Sequence, residues 1–265
     1  GATLQVKESD GSIKPWGDIR AKQVWKKPLA VLVDRYSASA SEIFAGAIQD
    51  YKRGIIIGQK TFGKGTVQQL DDLSSGQIKI TESKFYRITG AGMQNKGIHP
   101  DIALPSTWDI EEIGESSYDR ALSWDEIKPI HFTKFPMEQS LISQLKNEHL
   151  LRLDQNPNLQ YILDIRERYE IQKNKKVVSL NKEKRRHEKK ERQKWALDIE
   201  NKRRSSLNLE IFNSYKEMTD HNEAKENEKK EFDIQIDDDF LLNEGANILT
   251  DIMLLNKNIY LSQAA

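Results

Sequence analysis

Cysteine is absent from the 265 residues, which excludes a disulfide framework and any metal site built on thiolates. Charge of either sign is not in excess: lysine plus arginine and aspartate plus glutamate both number 41, so net charge argues for no particular partner. No apolar run approaches the length of a membrane span. Apolar residues make up only 37% against 31% charged, low for one compact globule of this length. They are dense before about Pro105 and sparse after Lys173. A packed α/β part followed by a hydrated helical part is expected, within a length that holds one large or two ordinary domains. Neither a methionine nor a basic-apolar leader opens the chain, which runs from Gly1 straight into the strand-like ATLQVKE. It reads as a piece of a longer protein, so the missing signal peptide says nothing about export. No internal repeat is found.

What is present is organised around Lys27 to Leu70. Leu29 to Val33 is a short apolar run bounded by charge, as a buried strand should be. Asp34 and three alternating serines follow, Ser37, Ser39 and Ser41, and then Ile43, Phe44, Ala47, Ile48 and Tyr51 recur at helical spacing. Gly54 ends that helix, and Ile55 to Ile57 form a second buried strand. Two strands joined by a helix favour parallel pairing with helices on the sheet. Functional groups in such sheets gather beyond the carboxyl ends of strands. The serines and Lys64 both lie there.

Around this unit the reading is simpler. Thr3 to Glu8 is a strand, and residues 12 to 26, with Trp16 and Trp25, are a loop returning to the core. Gln77 to Ile88 alternates at period two as a half-buried strand, and Ile98 to Ile102 is a short extended closing segment. Pro105 to about Pro129 is a connector. Leu141, Leu145 and Leu153 mark one helix, and Leu159, Ile162, Leu163 and Ile165 another after Pro157. VVSL at 177–180 breaks the helical pattern, residues 218 to 239 read as polar and mobile, and Ile248, Leu249, Ile252 and Met253 form the face of a last helix. The basic run Lys182 to Lys194 is interspersed with Glu183, Glu188 and Glu191 and lacks stacking aromatics, which favours a solvated helix over a nucleic-acid site.

A serine hydroxyl needs a neighbouring base before it can act as a nucleophile. All five histidines (His99, His131, His149, His187, His221) lie outside the central unit. A neutral lysine can serve instead. Lowering its ordinary pKa of about 10.4 by roughly three pH units corresponds to about 4 kcal/mol, within reach of burial. Lys64, between Gly63 and Gly65 and beside Phe62, has the surroundings for this, whereas Lys52, Arg53 and Lys60 are expected to face solvent. The competing reading of Ser39 is a helix cap, since Ser39-Ala40-Ser41-Glu42 is a capping box. On spacing alone the cap is preferred. The two roles share a position, because a serine at a helix start leaves backbone N–H groups, the Ala40 N–H first, for an oxyanion. Asp50 lies eleven residues on, roughly 16 Å along a helix, and cannot touch that serine. Gln68 follows Lys64 by four residues on the same side of the chain and could orient the amine. Gly58 to Lys64 also matches the phosphate loop G-x-x-x-x-G-K. The serine or threonine that should follow is replaced by Gly65, and TVQQLDDLSSGQIKI does not read as a helix.

LAVLVDRYSASASEIFAGAIQDY followed by GQKTFGKGTVQQ, and then KFYRITGAGMQNKGIHPDIALP, resembles the C-terminal processing peptidases, S41-type serine proteases with a serine–lysine dyad, and above all their tail-specific members. The likeness returns weakly in NKKVVSLN and the last helix, and is most specific over residues 29 to 102. It implies an α/β protease core with a parallel or mixed sheet and packed helices, a ClpP/crotonase-like half, over residues 1–106. A charged, mainly α-helical C-terminal domain over 107–265 would follow. It puts the nucleophile on Ser39, the base on Lys64, its supporting glutamine on Gln68, and a supporting aspartate on Asp50. It implies an endopeptidase of the periplasm or cell envelope that cleaves unfolded proteins with apolar C-termini, using no cofactor, metal or nucleotide and binding no nucleic acid. It leaves room for an adaptor lipoprotein and for peripheral association with a membrane. The family's tail-recognising PDZ domain and glycine-rich oxyanion strand would precede Gly1, so this chain by itself is expected to be weakly active or inactive. The alternative is a catalytically incomplete fragment or a non-catalytic binding module on the same fold.

Overall fold

The computed structural model describes residues 1–18, 24–109, 111–228 and 239–263. They divide into two compact units. The first gathers Gly1–Leu104, Trp108–Glu148 and Glu244–Ala265, and the second Pro105–Thr107 and His149–Asn243. Segments on both sides of the boundary expected at 106/107 therefore contribute to the first unit.

Within the first unit, β3 (Ala30–Val33), α1 (Ala40–Asp50) and β4 (Ile55–Gly58) form the expected strand–helix–strand. β4 is the middle of a parallel three-stranded sheet, flanked by β3 and by β7 (Ile102–Ala103). The register runs from Ala30 opposite Ile55 to Val33 opposite Gly58. A middle strand covered on both faces carries an unbroken apolar run. Ile55, Ile56 and Ile57 are fully buried, each side chain contributing roughly 2 kcal/mol of apolar transfer. At the end of β4, Gly58 has φ 126°, and a Cβ there would stand 1.9 Å from the Val33 carbonyl oxygen. Only glycine lets the two strand ends close up in this way. Helix α1 lays Ala45 on this sheet, in a cluster with Val33, Ile56, Phe85, Met93 and Ile98. Phe44, although in helical phase, is exposed.

A second, antiparallel sheet has the order β2-β1-β6-β5, built from β1 (Ala2–Lys7), β2 (Ile13–Gly17), β5 (Thr66–Asp72) and β6 (Gln77–Tyr86). β2 replaces part of the loop expected over residues 12–26. It is exposed along its whole length, so no alternation marks it in the sequence; residues 19–23 of that stretch lie outside the described residues. β6 is exposed over its first six residues and buried at Ser83, Phe85 and Tyr86, a half-buried strand lengthwise rather than facewise. From Trp108 on, the stretch read as a connector belongs to this unit, with a 3₁₀ turn at Glu115–Ser117. Helix α2 (Gln139–Gln155) buries Leu141 and Leu145. The closing helix, α6 (Phe240–Gln263), buries Ile248 and Ile252, and its Gly245 lies against Leu32 of β3.

The second unit is helical: the end of α2, then α3 (Pro157–Lys173), α4 (Lys182–Ser206) and α5 (Tyr215–Glu228). Asn156 caps α3 by accepting from the Asn158 and Leu159 N–H groups, with Pro157 in the first turn. Few apolar side chains are buried here, chiefly Leu159, Ile162, Phe212 and Met218. Charged groups also link α3 and α4. Arg203 pairs with Glu200 at 2.6 Å, donates to the Asn158 side chain at 2.7 Å and stands over the Tyr161 ring. Arg168 stands over Trp195. Of the stretch expected to be mobile, residues 218–228 belong to α5, and 229–238 lie outside the described residues. Among the described residues no helix is long and apolar enough to cross a membrane.

Candidate active site

The carboxyl ends of β3 and β4 lie side by side, and the loops that leave them meet. The Gln59 N–H donates to the Val33 carbonyl at 2.9 Å, and the Phe62 N–H to the Ser37 carbonyl at 3.0 Å. The serine turn and the lysine loop are thus one structure, although about 25 residues separate them.

The turn sorts the three serines. Asp34 folds it by accepting from the Tyr36 and Ser37 N–H groups, both at 2.9 Å, and from the Ser37 hydroxyl at 3.1 Å. Ser37 is therefore committed to the turn. Ser41 is exposed in the first turn of α1. Ser39, at the entrance to α1, has φ 57° and ψ −114°, a backbone conformation that a residue with a Cβ holds only under strain. Its side chain faces the Glu42 N–H without making a cap hydrogen bond, and that N–H donates to the Ser39 carbonyl at 2.9 Å. The reverse half of the capping box is made: the Ser39 N–H donates to the Glu42 carboxylate at 2.9 Å. The Ala40 N–H, at the first position of α1, has no intrahelical partner and stays available as a donor.

Glu42 does far more than close a cap. It is fully buried, and the same carboxylate accepts from the Thr61 hydroxyl, from the Gly63 N–H at 2.7 Å and from the Lys64 N–H at 2.9 Å. One oxygen serves both Ser39 and Lys64, which holds their backbone nitrogens within about 6 Å of each other. Burial pushes the Glu42 carboxyl above the usual range, opposed by the hydrogen bonds from Thr61, Gly63, Ser39 and Lys64. Thr61 in turn accepts from the Ile98 N–H at 2.7 Å. Arg35, also fully buried, donates to the Thr61 and Ile113 carbonyls. Burial lowers the Arg35 pKa, and the charge of Glu42 opposes that. Sequence reading missed Arg35 and Thr61 and saw Glu42 only as a cap. The one available signal was that two charged residues flank the serine run at strand and helix ends.

The remaining sequence-derived residues are placed as follows. Lys64 is half-buried between Gly63 and Gly65, and no hydrogen bond joins its amine to the Ser39 hydroxyl in this structure. Gln68 is exposed on β5, and the structure makes no bond between its amide and Lys64. Asp50 lies at the far end of α1 and is buried against Arg87, whose guanidinium pairs with it and also donates to Gln49 at 2.9 Å. Lys60, expected in solvent, is half-buried, and burial followed by the charge of Arg35 lowers its pKa. The phosphate-loop reading fails on geometry. A strand follows rather than a helix, and the Gly63, Lys64 and Gly65 N–H groups are all taken by side chains. Among the described residues no acidic or histidine cluster has the makings of a metal site.

A strained serine lies between strand and helix with a lysine loop against it, and residues 1–104 match peptidase family S41. Residues 108–254 match the C-terminal domain of tail specific protease. The chain belongs to the tail-specific protease family within those peptidases. It is 36% identical over 285 residues to the tail-specific protease of Haemophilus influenzae, a match that covers all of this chain and 38% of that protein. It is 46% identical over 78 residues to a chloroplastic C-terminal processing peptidase of Tetradesmus obliquus, covering 29% of this chain and 17% of that one. Among solved structures, the photosystem II D1 C-terminal processing protease aligns over 39% of this chain and 27% of its own at 37% identity, with a TM-score of 0.34. The chain thus spans well under half the length of these relatives.

Proposed function

We propose that this chain is the nucleophile-and-base portion of a serine endopeptidase of the tail-specific type, which cleaves unfolded polypeptides with apolar C-terminal tails. The reading is carried by the shared Glu42 carboxylate, which gathers the strained Ser39 and the Lys64 loop into one frame. The Lys64 amine takes the proton of the Ser39 hydroxyl, whose oxygen attacks the scissile carbonyl. The oxyanion is held by the Ala40 N–H, one of the free donors at the start of α1. The tetrahedral intermediate collapses to an acyl-enzyme as the protonated Lys64 gives its proton to the departing amine, and water then releases the acyl group. Gln68 orients the lysine once substrate is bound, and Asp50 supports α1 through Arg87. The family likeness supports a periplasmic or cell-envelope setting for this activity, with an adaptor lipoprotein as a candidate partner.

The test is degradation of an unfolded reporter with an apolar C-terminus by the full-length protein carrying Ser37→Ala, Ser39→Ala, Ser41→Ala or Lys64→Ala. Ser39→Ala and Lys64→Ala are expected to abolish cleavage, a loss on the order of 10³-fold or more, while the other two stay within a few-fold of wild type. Cleavage by folded Ser39→Ala would return that serine to the role of a helix cap.

A further inference from the structure

Lys64 sits between two glycines, and the backbone of Gly63 (φ 91°) and Gly65 is fixed by little of its own. Its carbonyls are held by neighbouring backbone, the Gly63 oxygen accepting from the Asn95 N–H at 2.8 Å and the Gly65 oxygen from the Phe85 N–H at 3.0 Å, and side chains from elsewhere accept its three successive N–H groups. Glu42 takes the first two. The third, from Gly65, donates to the Oε1 atom of Gln94 at 2.8 Å. Gln94 is buried, and a Cβ on Gly65 would stand 2.5 Å from the Gln94 backbone nitrogen, so the two backbone segments are in close contact.

A neutral amide can turn over and present its NH₂ group where an acceptor is needed. Gln94 is kept from doing so by Glu115, whose carboxylate accepts from the Gln94 Nε2 at 3.0 Å. The Glu115 N–H also donates to the Phe62 carbonyl at 2.9 Å, two residues before the lysine. The segment carrying Glu115 is itself clamped to the peptidase part. The Ile113 carbonyl accepts from buried Arg35, the Leu122 carbonyl from the Asn95 side chain at 2.9 Å, and the Trp124 ring N–H donates to the Gly92 carbonyl at 2.8 Å.

We propose that Gln94 and Glu115 are positioning residues for the Lys64 loop, so that the segment 113–125 belongs to the catalytic apparatus although it falls in the C-terminal domain match. The proposal rests on Lys64 as the base. Glu115 acts only through Gln94 and the Phe62 carbonyl, so its loss and that of Gln94 are coupled.

The test measures kcat, KM and the pH–rate profile of the full-length protein on an unfolded reporter, with folding checked by circular dichroism. Gln94→Ala and Glu115→Ala are each expected to lower kcat about tenfold or more by displacing the base, with KM within about twofold. The limb of the profile that reports the base should move in both. The double variant should be no worse than Gln94→Ala alone. Gln94→Glu keeps an acceptor for the Gly65 N–H but sets two carboxylates together. Its loss should be recovered to within about threefold by adding Glu115→Gln, whose amide can donate across the same gap. That swap preserves the packing, so it decides the matter if an alanine variant fails to fold. Folded single variants with wild-type kcat and profile, or a swap that recovers nothing, would overturn the proposal. Lys64→Ala is run alongside: its activity would sink the dyad reading itself, whereas an inactive Lys64→Ala beside an unaffected Gln94→Ala sinks only the positioning role.

Discussion

Ser39 is held in a left-handed backbone conformation by bonds on both sides: its N–H to Glu42, and its carbonyl to the Glu42 and Ile43 N–H groups. Strain of this kind at a non-glycine residue costs on the order of 1–3 kcal/mol and persists where the surroundings over-determine it. Two inactivating substitutions should therefore differ in stability. Ser39→Gly relieves the strain and Ser39→Ala does not, so the glycine variant is expected to be the more stable by about 1 kcal/mol or more in urea unfolding, with both inactive. Equal stabilities would mean that the turn stores no strain. The sequence showed the serine and the capping glutamate but not this conformation. A capping box normally leaves its serine in extended backbone, whereas here the same carboxylate also binds the lysine loop.

At the scale of elements, the segment after Ser117 is tied to β6 by the Ser123 carbonyl, which accepts from the Lys84 ammonium at 2.9 Å, and by the Asp125 carboxylate. Asp125 accepts from the Lys84 ammonium at 2.8 Å and from the Tyr86 hydroxyl at 3.0 and 3.1 Å. Burial alone would raise its pKa, but the hydrogen bonds from Lys84 and Tyr86 and the Lys84 charge hold it below the ordinary value of 3.8. The folded form thus binds the proton less well than the unfolded one. The resulting stabilisation is fully present above the ordinary aspartate range and is lost as pH falls from there through the lowered folded value. Asp125 is partly exposed, so screening keeps the effect modest. The stability gap between wild type and Asp125→Asn is expected at pH 6 and should close as the pH is brought below about 4. A gap that does not change with pH would mean that the pair contributes nothing ionic. Sequence periodicity found β3, α1, β4 and the helices α2, α3 and α6, whose apolar residues repeat. It missed β2, exposed throughout, and made a connector of residues 105–129, of which the part around Ser123 and Asp125 holds to the sheet through isolated hydrogen bonds rather than a periodic face.

For the molecule as a whole, the peptidase match ends at Leu104, yet the compact unit around the site also includes Trp108–Glu148 and Glu244–Ala265. A fragment ending at Leu104 would expose buried Arg35 without its Ile113 partner, and β3 without the helix against Leu32. Such a fragment is expected to show no cooperative thermal transition by circular dichroism, and a sharp melt within a few degrees of the intact chain would refute this. The sequence alone determined the strand–helix–strand unit and the positions of Ser39 and Lys64 at strand ends, because runs and periods within one segment follow directly from local backbone geometry. Only the tertiary structure decided which side chains hold them. Glu42 reaches the lysine loop across 22 residues, Gln94 reaches Gly65 across 29, and Glu115 reaches Gln94 across 21. Single hydrogen bonds between segments that far apart leave no period in the chain, so they exist as a pattern only after the backbone has closed on itself.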